Sequence, residues 1–131
     1  MKIGYVLLVL VALGAGLGGG YVFRHATSEK PGVSLEKVGG FEARYAASGS
    51  RVILYSLSTC GYCKQARELL EKQNIDYVEK VIDTSDSAKK EAAELGIKAV
   101  PVLLVGDYRV KGYDQSKWLD LLRTEGIPAK N

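Results

Sequence analysis

Residues 3–23 (IGYVLLVLVALGAGLGGGYVF) carry no charged side chain, and this run sets the first boundary on the fold. A helix of that length, at about 1.5 Å per residue, crosses a hydrocarbon core of about 30 Å. Gly14, Gly16, Gly18, Gly19 and Gly20 would weaken it as a core helix in water. Two readings remain. One is a single-pass membrane anchor over residues 1–23, with Tyr5 and Tyr21 near the interfaces. The other is a signal segment: Lys2, an apolar stretch to Leu13, then small residues. The anchor is the expectation, because the apolar run is long and no clean A-x-A cleavage site follows it. Counting Lys2 against Arg24, Lys30 and Lys37 favours a cytoplasmic domain. A two-residue tail before an apolar run is also how export signals begin, and the expected side is extracytoplasmic.

The remaining residues must build the domain. The chain of 131 residues is 47% hydrophobic and 25% charged, an ordinary globular composition. A net charge of +3, evenly spread, gives no footprint for nucleic acid. Two cysteines exclude a disulfide-dense scaffold.

Residues 24–50 read as a juxtamembrane linker, opened by RHATSEKPGVS and broken at Gly39 and Gly40. A short helix over residues 42–47 fits within it. Residues 51–57 (RVILYSL) read as a strand. Residues 62–73 place Ala66, Leu69 and Leu70 at helical spacing, with Asn74 as a stop. Residues 75–82 read as a second strand. Thr84, Ser85 or Asp86 can cap a helix running to Leu95. Residues 101–105 form a short apolar strand. Gly106-Asp107 is a turn, and residues 108–111 pair back. Asp114 caps a last helix carrying Trp118, Leu119, Leu121 and Leu122, closed by Gly126 and Pro128. The order β-α-β-α-β-β-α over residues 51–126 predicts an α/β fold: a mixed four-stranded sheet with helices on both faces. Residues 127–131 form a tail. Trp118 is expected in the core.

The chemistry concentrates at Cys60-Gly61-Tyr62-Cys63, where the first strand turns into the first helix. Cys60 falls at the helix start and Cys63 one turn inside, so both sulfurs share a face. Unpaired N–H groups and the positive helix end favour negative charge on Cys60, making it the expected nucleophile. Lys64 is the candidate to tune that thiol by adding positive field. Cys63, deeper, can resolve a mixed disulfide. Zinc needs four ligands, and the other strong candidate, His25, lies far away, so no metal is expected. A structural disulfide here would close too short a loop to remove much chain entropy. A redox-active dithiol is the expectation. Pro101 opens an apolar strand, where a proline is tolerated without further explanation. Combined with the upstream cysteines, it predicts a cis bond facing the sulfurs, with the Val100 backbone free to pair with an extended substrate.

Residues 51–126 resemble the thioredoxin superfamily, and more closely a glutaredoxin. CGYC matches the C-x-Y-C form of that family, and Ala99-Val100-Pro101 its T-V-P. Lys111-Gly112-Tyr113-Asp114 falls where glutaredoxins carry Gly-Gly and an acidic residue. The domain is expected to start directly at the redox strand, without the extra strand and helix of thioredoxin. The resemblance implies a thioredoxin-like fold and a thiol–disulfide oxidoreductase acting on protein or glutathione mixed disulfides. Cys60 would be nucleophile and Cys63 resolving thiol. Tyr62 would line the groove, Pro101 would be cis, and Val100, Gly112, Tyr113 and Asp114 would contact glutathione. Glutathione would be a co-substrate, with no tightly bound cofactor and a monomeric chain. Leu57, Lys111 and Gly61 stand where the family often carries Lys, Gly and Pro, which leaves a dedicated reductase open as electron donor. The alternative is a glutathione-dependent iron–sulfur module, with Cys60 of two chains holding a shared cluster.

Overall fold

The computed structural model describes residues 32–128. The anchor or signal segment lies outside the described residues. Among the described residues, no helix is long and apolar enough to cross a membrane.

The elements are β1 (Ser34–Lys37), α1 (Glu42–Ser48), β2 (Val52–Ser56), α2 (Gly61–Lys72), β3 (Val78–Val81), α3 (Asp86–Glu94), β4 (Val102–Val105), β5 (Tyr108–Lys111) and α4 (Gln115–Thr124). They form one mixed sheet in the order β1-β5-β4-β2-β3. Strands β2 and β3 are parallel, and the other neighbours are antiparallel.

All five residues of β2 are buried, because helices cover both of its faces. Val52 and Leu54 pack with Leu69 and Leu70 of α2 and with Trp118 and Leu122 of α4. Ile53 and Tyr55 point the other way, against Phe41, Tyr45 of α1 and Ala92 of α3. The alternation of a strand thus feeds two separate apolar layers. Trp118 is fully buried, as expected.

Helix ends follow their local chemistry. Ser85 and Asp114 cap α3 and α4 by accepting from the Ala88 and Lys117 N–H groups, at 3.3 and 3.0 Å. Asn74, just past α2, adopts a left-handed φ of 50°. The hairpin turn at Gly106-Asp107 favours a glycine, whose φ is 55°.

Two expectations need correction. The sheet has five strands, not four, and residues 24–50 are not all linker. Strand β1 and helix α1 precede the redox strand, so the domain does not begin at residue 51. Ser34-Leu35-Glu36-Lys37 lacks the apolar alternation that marks a strand, and it is held by other means. Glu36 accepts from Arg109 Nη2 at 2.6 Å and from Lys111 Nζ at 2.7 Å, both on β5. Its carboxyl is held below the usual glutamate range, first by Lys111 and then by Arg109. The helix read over residues 42–47 is present as α1.

Candidate active site

Pairing registers bring four segments to one end of the sheet. Tyr55 pairs with Val102, Val102 with Lys111, and Lys111 with Ser34. The loop after β2, the approach to β4, the exit of β5 and the entry to β1 therefore share one edge. These segments carry Cys60, Pro101, Gly112 and Gly32.

Cys60 is the N-cap of α2, and its Sγ accepts from the Cys63 N–H at 3.2 Å. A sulfur there takes one of the unpaired amides of the helix start. Cys60 is half-buried and Cys63 is fully buried. Burial pushes the Cys63 thiol up to about 12, helped by its hydrogen bond with Cys60. The Leu57 backbone and the Arg67 charge act in the opposite direction. One thiol is therefore reachable and the other is kept protonated.

Tyr62 is 65% exposed on the first turn of α2. Lys64 turns along the helix toward Glu68, with Nζ 3.9 Å from Glu68 Oε1, and is 73% exposed. The Val100–Pro101 bond is cis, as expected. Pro101 is buried and Val100 half-buried.

A second group forms around Gly112. Its N–H donates to the Pro101 carbonyl at 2.9 Å, and its carbonyl accepts from Trp118 Nε1 at 3.1 Å. Its φ is 83°, and an added Cβ would meet the Gly32 carbonyl oxygen at 2.1 Å. Glycine is required by both conformation and space. Tyr113 packs edge-on against Trp118 at 5.3 Å between ring centroids, and burial raises its phenol. Asp114 is the α4 cap already described. The structure thus links Pro101, Gly112, Tyr113 and Asp114 to one another at the end of the sheet from which the Cys60 loop also leaves, tied down by α4.

Sequence reasoning missed the residues that hold the redox turn. The Asp83 carboxylate accepts from the Ser58 N–H at 3.0 Å and from the Ser58 hydroxyl. These bonds hold its carboxyl below the usual range, the hydroxyl contributing most. They clip the Ser58-Thr59 turn to the end of β3. An open cleft of about 490 Å³ lies alongside, bounded by Leu57, Asp83, Ser85 and Lys89. The available signal was Asp83 itself, a carboxylate at the end of a strand parallel to the redox strand.

Comparison with known proteins agrees with this geometry. The glutaredoxin family model matches residues 52–110. A glutaredoxin of Pseudomonas aeruginosa is 31% identical over 64 residues, 48% of this chain and 76% of that protein. The crystal structure of a glutaredoxin from Archaeoglobus fulgidus superposes with a TM-score of 0.53 at 34% identity, covering 65% of this chain and 99% of the other. A buckwheat glutaredoxin–glutathione complex shares the fold, with a TM-score of 0.53 at 21% identity over 67% of this chain and 90% of its own.

Proposed function

The chain belongs to the glutaredoxin family, and from that premise we propose that it reduces protein or glutathione mixed disulfides through the dithiol of Cys60 and Cys63. One observation carries the reading: a half-buried cysteine caps a helix while its partner, one turn inside, is fully buried, and burial pushes its thiol up. Cys60 attacks a substrate disulfide and takes one half as a mixed disulfide. Cys63 then attacks Cys60, closes the intrachain disulfide and releases the second half as a thiol. The cis Val100–Pro101 bond and Gly112 lie at the same end of the sheet as the loop that carries Cys60, which supports an extended thiol peptide lying across them. Glutathione, the co-substrate of glutaredoxins, or a dedicated reductase returns the pair to dithiol. The apolar run of residues 3–23 supports a membrane tether.

Single substitutions test the roles. Cys60→Ser should abolish reduction of a disulfide substrate. Cys63→Ser should keep the first attack and accumulate a mixed disulfide, visible as added mass. Equal and total loss from both changes would contradict the assignment.

A further inference from the structure

Between α2 and the sheet lies a polar cluster that the dithiol cycle, as drawn above, does not use. Ser56 is fully buried at the end of β2, and its hydroxyl donates to Glu79 Oε1 at 2.5 Å. The same oxygen accepts from Arg67 Nη1 at 2.6 Å. Arg67 and Glu79 are 25% and 23% exposed. A partly exposed ion pair contributes little to fastening a helix to a strand. Its position suggests another use. Arg67 follows Cys63 by four residues on α2, the spacing that stacks two side chains on one helix face. Burial disfavours a thiolate on Cys63 most; the Leu57 backbone and then, more weakly, the Arg67 guanidinium charge favour it.

We propose that Arg67, held in place by Glu79 and Ser56, supplies the positive field under which the buried Cys63 gives up its proton in the resolving step. Arg67 and Glu79 are positioning residues here, acting on the sulfur without bonding to it. The proposal rests on the cysteine roles assigned above. In the step itself, Cys63 Sγ attacks Cys60 Sγ of the mixed disulfide. The Cys60–Cys63 bond forms and the bond from Cys60 to the substrate sulfur breaks. The substrate half leaves with the electron pair and takes up a proton, balancing the one lost from Cys63. The two cysteines are oxidised and the substrate is reduced, with no further reactant.

Stopped-flow reaction of the reduced full-length protein with a symmetric aromatic disulfide separates the two steps, because each releases one coloured thiol. Arg67→Gln should slow the second release about three- to tenfold, the loss of one partly exposed charge near a thiolate, and leave the first unchanged. Arg67→Lys keeps the charge and the pairing with Glu79, and should recover most of the second rate. A second release unmoved by Arg67→Gln, or slowed equally by Arg67→Lys, would overturn the proposal. A single release in the unsubstituted protein would instead overturn the cysteine roles on which it rests.

Discussion

Strands β1 and β2 belong to one sheet and are held in it by opposite means. Every residue of β2 is buried, and Val52 to Tyr55 fill apolar layers on both faces. In β1 Glu36 is half-buried and its three neighbours are exposed, with Leu35 at 55%. Backbone pairing to β5 and the Glu36 contacts to Arg109 and Lys111 hold β1 in place. Apolar burial resists separation at any salt concentration, whereas partly exposed charges are screened and titrate. The candidate site draws on both regions. Cys60 hangs from the end of β2, and the entry to β1 closes over Gly112.

Truncation should separate the two strands most sharply. Leu54→Ala should cost about 2–5 kcal/mol in denaturant unfolding, through lost burial and the cavity left behind. Leu35→Ala should stay within about 0.5 kcal/mol, as an exposed change does. Similar losses from both would break the contrast. Gly112→Ala follows, at about 1–3 kcal/mol, since a methyl at that φ strikes the Gly32 carbonyl. Its signature should be faster amide exchange in residues 33–37, with β2 still protected.

Titration sharpens the comparison from both ends of the pH scale. The lowered Glu36 carboxyl contributes its hold on β1 above its ordinary value of 4.5, and that hold is lost as the pH falls. Amide exchange of β1 should accelerate below that point before β2 responds. The raised Cys63 thiol works in the other direction. Its neutral form contributes stability below the ordinary value of 9.0, which is lost as the pH climbs toward about 12. The reduced protein should therefore melt at progressively lower temperature above pH 9.0. The disulfide form, which has no thiol to ionise, should lose less.

The same contrast explains what could be read from the chain. Val52 to Tyr55, Leu69, Leu70 and Trp118 announce themselves by apolar spacing, because burial fixes both their positions and their composition. Cys60, Cys63 and Pro101 are legible from residue chemistry at a strand-to-helix turn and a strand start, and Gly112 from the family resemblance. Strand β1 is not legible, because a strand held by Glu36 to Arg109 across 73 residues leaves no local period. The Asp83 clip and the Ser56–Glu79–Arg67 cluster are hidden for a related reason. Each joins polar residues from separate elements, and only the fold brings them together. Lys64, adjacent to the redox pair in sequence, meets Glu68 one turn on, a contact that the helical spacing of four residues makes legible.

The division of labour between a reachable and a sequestered thiol is the centre of the account. Brief alkylation of the reduced, folded protein with a substoichiometric thiol reagent, followed by peptide mass spectrometry, tests it most directly. The half-buried Cys60 should carry nearly all of the label at neutral pH, and Cys63 should react only after unfolding. Label appearing on Cys63 first, or on both cysteines at equal rates, would contradict it.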